Sequence, residues 1–180
     1  FCQKRGARMF LCQLSGIPGA GKSFMAKKIA ALFPAAILDL DVVKTSIMTS
    51  FDDGIDFKFA GKVAYDVIFS LADHHLGCGL SVVIDTPCAY PAIPQRGRAI
   101  AARHGAAYKM MECSVRDVAV INHRRSSRPI LKSQSRTHGI SQMEFEAEMA
   151  GMLRPEGVEI LSVDTQYPVD EKEIMDYLCR

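Results

Sequence analysis

Two apolar periods alternate along the chain. Met9 to Leu14 is a short continuous apolar run that leads into glycines, and beyond Lys22 the residues Ala26, Ile29, Ala30 and Phe33 recur at helical spacing. Ala36 to Leu40 reads as a second buried strand, followed by a short helical piece around Lys44 to Met48 and a loop at Phe51 to Asp56. Ala60, Val63, Ala64, Val67, Ile68 and Leu71 predict a long helix from about Phe57 that stops near Gly77 and Gly79. Leu80 to Asp85 is a third strand, and Thr86 to Pro94 is a loop leading to a helix that ends near Gly105. Ala107 to Cys113 and Gly157 to Val163 are strand-like; Val115 to about Arg125 and Val169 to Leu178 are helix-like. Strands that alternate with helices need long crossovers, which predicts an α/β fold with a parallel sheet of about five strands between helices on both faces.

The length of 180 residues suits one domain. It is expected to span residues 9–180, with Phe1 to Arg8 as a frayed or non-native lead. Apolar residues at 48% and charged residues at 23% exclude a disordered or membrane-embedded chain, and no apolar run reaches the ~20 residues of a spanning helix. The six cysteines show no C-x-x-C pair, which argues for reduced thiols in a cytoplasmic protein. His74-His75 has no suitably spaced ligand and reads as a solvent-facing or dipole-related pair, and Met110-Met111 reads as core filler. A net charge of +2 does not by itself imply nucleic acid.

The chemistry begins at Gly16-Ile17-Pro18-Gly19-Ala20-Gly21-Lys22-Ser23, which fits G-x-x-x-x-G-K-[ST] between a predicted strand and a helix start. Backbone amides and the positive helix end can grip phosphate oxygens there, and side chains at the glycines would obstruct the approach. Lys22 is placed to neutralise the β and γ phosphates, and the Ser23 hydroxyl to meet Mg²⁺.

Ligands of open parallel sheets sit beyond the carboxyl ends of the strands, so acids there carry weight. Asp39 and Asp41 finish the second predicted strand, where alternation lets both share a face, and Asp85 finishes the third. Asp85 has the form of a metal-holding carboxylate, with a turn cap as the alternative. Asp41 and Lys44, three apart, can place a proton acceptor and an acceptor-holding cation on one side of a beginning helix; a cap plus a solvated lysine is the alternative.

No acid occurs between Asp117 and Glu144, whereas Arg124, Arg125, Arg128, Lys132 and Arg136 do. Such a segment, about residues 122–140, can act as a mobile lid whose arginines steady a migrating phosphoryl group. A solvated basic face and a groove for a nucleic-acid end are the other readings. Ser141 with Glu144 forms a possible capping box that restarts helix.

The phosphate loop, the stretches DLDVVKTSIM and VVIDT, and the NHRRSSRP segment together resemble the P-loop kinase-like family often labelled AAA-type predicted kinases. Its relatives include the kinase domain of polynucleotide kinase, chloramphenicol phosphotransferase and zeta toxins. The resemblance covers nearly the whole chain and implies a three-layer P-loop NTPase fold that uses ATP and Mg²⁺. It implies Asp41 as general base, Lys44 where arginine is more usual, Asp85 at the metal, and Arg124 and Arg128 on the lid, with Arg125 a further candidate. Phe24 stands where threonine usually follows the loop. The expected activity is transfer of the γ-phosphoryl group of ATP to a hydroxyl of a small-molecule acceptor. Phosphorylation of a polynucleotide 5′-hydroxyl, or a regulatory nucleotide-binding module without kinase activity, are the alternatives.

Overall fold

In a computed structural model of the chain, residues 8–52, 54–134 and 139–180 are described. Five parallel strands form one sheet: β1 Phe10–Ser15, β2 Ala35–Asp39, β3 Ser81–Asp85, β4 Ala107–Ser114 and β5 Ile160–Asp164, in the order β2-β3-β1-β4-β5. The connecting helices are α1 Lys22–Leu32, α2 Leu40–Ser50, α3 Phe57–Gly77, α4 Ala92–Arg103, α5 Val118–Ser127, α6 Gln142–Ala150 and α7 Glu171–Cys179.

The period-two alternation of β1 explains why helices cover both sheet faces. Phe10, Cys12 and Leu14 enter one core with Met25 and Ile29 of α1, Ile121 of α5, Phe145 of α6, and Ile174 and Tyr177 of α7. Leu11 enters the other with Ala64, Ile68 and Leu76 of α3 and Ile100 of α4. Met110 and Met111 of β4 divide between these cores, both fully buried. Cys12, Cys88 and Cys113 are buried free thiols, and burial pushes those of Cys88 and Cys113 up to about 12. Cys78 and Cys179 are exposed; Cys2 lies outside the described residues.

Side-chain caps trim several expected boundaries. α5 starts at Val118 rather than Val115 because Asp117 accepts the Ala119 amide, and α7 starts after Asp170, which accepts from Lys172 and Glu173. The segment expected to be loop through Pro94 is already helix from Ala92. A proline in the first turn displaces no amide that would have had a helical acceptor. Gly157 has φ 68 and precedes β5 instead of opening it. The capping box of Ser141 and Glu144 is formed. Within the expected lead, residues 1–7 lie outside the described residues, while the Arg8 guanidinium donates to Gly105 O at 3.0 Å.

Because all five strands are parallel, their carboxyl ends lie along one edge of the sheet. This edge carries Ser15 with the following glycine loop, Asp39, Asp85 and Asp164.

Candidate functional site

Local backbone chemistry shapes the loop between β1 and α1. Gly16, Gly19 and Gly21 have φ of 139, 91 and 88, values that side-chain-bearing residues rarely adopt. A Cβ at Gly16 would meet Cys113 O at 2.5 Å, and one at Gly21 would meet Thr165 Oγ1 at 2.9 Å, so the loop is seated on the ends of β4 and β5. The Lys22 ammonium donates to Gly16 O at 2.8 Å and Ile17 O at 3.3 Å, folded back along the loop.

Five helices are capped by a side chain at their N-terminus: Asp39, Asp56, Asp117, Ser141 and Asp170. α1 and α4 have no side-chain cap; the N-cap of α1 is Gly21, so its first amides keep the donors an anion needs. That is the fit expected of a polyphosphate.

The loop opens on a cleft of about 1170 Å³. Lys22, Ser23, Asp41, Lys44, Asp85, Arg124 and Arg128 all line it, so tertiary structure brings together residues separated by over a hundred positions. Phe24 also lines the cleft and is 56% exposed.

Asp85 is 5% exposed at the end of β3, beside Asp39 of β2 in register. Burial raises its pKa; the Ser23 hydroxyl and Lys22 pull it back, and Asp41 adds to the rise. Burial likewise raises Asp39, with Asp85 as the next cause. Lys22 is lowered by burial, against which Asp85, Cys113 and Asp41 act, while Arg128 lowers it further. Ser23 and Asp85 supply two hard oxygen donors of the kind Mg²⁺ takes together with phosphates and water. Among the described residues no group of three or more His, Cys, Asp or Glu could hold a metal.

Asp41 does not finish β2. The strand ends at Asp39, whose carboxylate accepts the amides of Asp41 at 2.8 Å and Val42 at 3.3 Å, turning strand directly into α2. The two acids therefore do not alternate on one strand: Asp39 is the cap, and Asp41 sits in the first helical turn. The Asp41 carboxylate accepts from Ser133 Oγ at 3.1 Å and Gln134 Nε2 at 2.8 Å, contacts with no precedent in the local sequence pattern. Ser133 also donates its amide to Thr45 Oγ1 at 3.2 Å, pinning the loop after α5 onto α2. Lys44 is only 8% exposed, so it is not a solvated lysine beside a cap. Its ammonium lies 3.0 Å from the centroid of the Phe57 ring, and burial lowers its pKa against Asp41 and Asp56.

The three arginines of α5 separate by geometry. Arg124 donates to Thr165 O at 2.7 Å, Thr165 Oγ1 at 2.9 Å and Gly19 O at 3.3 Å, clipping the glycine loop to the end of β5. Arg125 does not line the cleft and is 2% exposed, donating to Pro18 O and to Glu148 of α6, each at 2.9 Å. Arg128, the C-cap of α5, lines the cleft and makes no hydrogen bond or ion pair among the described residues. The expected lid thus begins inside a helix, and Arg136 lies outside the described residues.

A family model described as an AAA domain matches residues 11–164. No curated protein matches the chain at a significant level. Solved structures share the fold at low identity. A protein from Chloroflexus aurantiacus described as a candidate kinase superposes with a TM-score of 0.71 at 18% identity, over 95% of this chain and 97% of its own. Mycobacterium tuberculosis APS kinase in complex with AMPPNP and APS gives 0.60 at 17% identity, over 95% and 98%. A gluconokinase from Sinorhizobium meliloti gives 0.56 at 16%, over 98% and 91%.

Proposed function

Since the chain belongs to the AAA domain family of P-loop proteins, we propose that the cleft is the active centre of an ATP- and Mg²⁺-dependent phosphotransferase whose acceptor is a small-molecule hydroxyl. The observation that carries this reading is the shared cleft. Lys22 on the glycine loop feels the charges of both Asp85 and Asp41, so the anion-gripping and proton-accepting groups address one space.

The bound nucleotide would supply the phosphoryl group, and its magnesium would neutralise phosphate charge. Gly16, Ile17, Pro18, Gly19, Ala20, Gly21, Lys22, Ser23 and Phe24 form the nucleotide-side wall, with Lys22 holding phosphate oxygens. Ser23 and Asp85 hold the metal. Asp41 would take the proton of the acceptor hydroxyl as the hydroxyl oxygen bonds to the γ-phosphorus, the bond from that phosphorus to the β–γ bridging oxygen breaks and ADP leaves, and Lys44 would help to hold the acceptor. Arg128 faces the transferred group, and Arg124 joins it once released from Thr165. APS, held by the structurally similar APS kinase, is a small molecule, which favours that acceptor class.

The test is a phosphorylation screen of hydroxyl compounds with ATP and Mg²⁺, repeated with Asp41→Asn. Transfer should fall by about 10²-fold or more while nucleotide affinity stays within about twofold. If Asp41→Asn alters no measurable activity, the regulatory-module reading replaces this one. Preferential labelling of a 5′-hydroxyl oligonucleotide, weakened by added salt, would move the acceptor class to polynucleotides.

A further inference from the structure

α3 presents two neighbouring ridges to the acceptor half of the cleft. Phe57, Gly61 and Tyr65 follow one another at four-residue spacing, and Lys58 and Lys62 run beside them one turn apart. The missing side chain of Gly61 leaves a notch between Phe57 and Tyr65. The Lys44 ammonium occupies it, 3.6 Å from where a Cβ would stand.

The charges here do not cancel. Asp66 is matched by Arg96 at 2.7 Å, and Arg96 also lies 4.4 Å over the Phe69 ring. Asp41 is held by Ser133 and Gln134. Asp56 is occupied in accepting the Phe59 amide at 2.8 Å. The side chains of Lys58 and Lys62 make no hydrogen bond or ion pair among the described residues. Lys44, more than nine-tenths buried and facing the cleft, has an aromatic ring where a carboxylate would be expected. The surrounding wall is aromatic, with Tyr65 stacked on Phe69 at 6.5 Å between centroids.

We infer that the acceptor site selects an alcohol carrying both an anionic group and a flat unsaturated or aromatic ring. The anion lies toward Lys58, Lys62 and Lys44, and the ring against the Phe57 and Tyr65 ridge. A neutral polyol leaves Lys58 and Lys62 without an anionic partner and cannot stack on the aromatic ridge, so charge and stacking together discriminate against it. The inference rests on the phosphotransferase reading of the same cleft and adds the acceptor's chemistry to it.

Two matched probes test it in the presence of ADP and Mg²⁺: 4-(hydroxymethyl)benzoate and its neutral isostere 4-(hydroxymethyl)benzamide, with binding followed by calorimetry and transfer followed by labelled ATP. The benzoate should bind at least about fivefold more tightly than the benzamide. Lys58→Ala with Lys62→Ala should erase most of that preference while leaving ADP affinity unchanged, since two exposed ion pairs are each worth about 1.4- to fivefold. Equal affinity for the two probes, no binding of either at millimolar concentration, or a preference that survives the double substitution would overturn the inference. Anion-selective binding with no transfer to any alcohol would keep the site and sink the phosphotransferase reading. Transfer without anion preference would do the reverse.

Discussion

Asp85 shows how a buried carboxylate weighs on stability. Burial raises its carboxyl pKa, so above that raised value the charged group weakens the fold relative to a neutral one. As pH falls through the folded value this penalty fades, and below about pH 4, where the unfolded-chain carboxyl is also protonated, it is gone. Asp85→Asn should therefore raise the melting temperature of the ligand-free protein at pH 7, by about 2–4 °C per kcal/mol relieved, and leave it unchanged near pH 3. The same variant should weaken Mg²⁺-dependent nucleotide binding. Calorimetric scans at the two pH values, with and without Mg-nucleotide, check both halves. That Lys22, Ser23 and Asp85 border one cleft was legible in the sequence because each sits at a fixed offset from a glycine turn or a strand end. Ser133 and Gln134 were not: a serine and a glutamine in a polar stretch look like any loop residues, and only the fold lays them against Asp41.

On the scale of the element, α5 carries two different jobs on one short surface. Arg125 ties the glycine loop at Pro18 O to Glu148 of α6 from within the core, whereas Arg128 stands at the helix end facing the cleft. Truncating a buried, paired arginine costs about 3–5 kcal/mol, so Arg125→Ala should lower the urea midpoint markedly. Arg128→Ala should leave that midpoint nearly unchanged and reduce transfer by about 10²-fold or more. Urea titration beside single-turnover transfer separates the two, and a large stability loss in Arg128→Ala would refute the division. The charge run marked this segment as special without saying which arginine faces where. Residues 124, 125 and 128 fall within about one helical turn, and their orientation depends on where α6 and β5 lie, not on spacing. Element boundaries were legible to within a few residues wherever apolar period and cap agreed, as at α3 and its Asp56 cap.

For the whole molecule, the glycine loop is braced by the ends of the two strands on one side of β1: Cys113 O of β4 lies behind Gly16, and Thr165, just after β5, donates to Ala20 O at 2.8 Å. A ligand that binds only the folded loop must therefore stabilise the entire domain. At a hundred times its Kd, Mg-nucleotide should add about 2.7 kcal/mol, raising the melting temperature by roughly 5–10 °C. Lys22→Ala should lose most of that shift, as a dye-based melting curve would report. The sequence by itself determined the alternation of strand and helix, the glycine loop between β1 and α1 and the acids at the ends of β2 and β3, because periodicity and backbone requirements act over a few residues. Only the tertiary structure decided that Asp39 caps while Asp41 faces the cleft, that Arg125 is buried while Arg128 is not, and that α3 confronts Lys44 with an aromatic ridge. Each of those outcomes depends on which surfaces pack together across the sheet edge, and no local spacing encodes that.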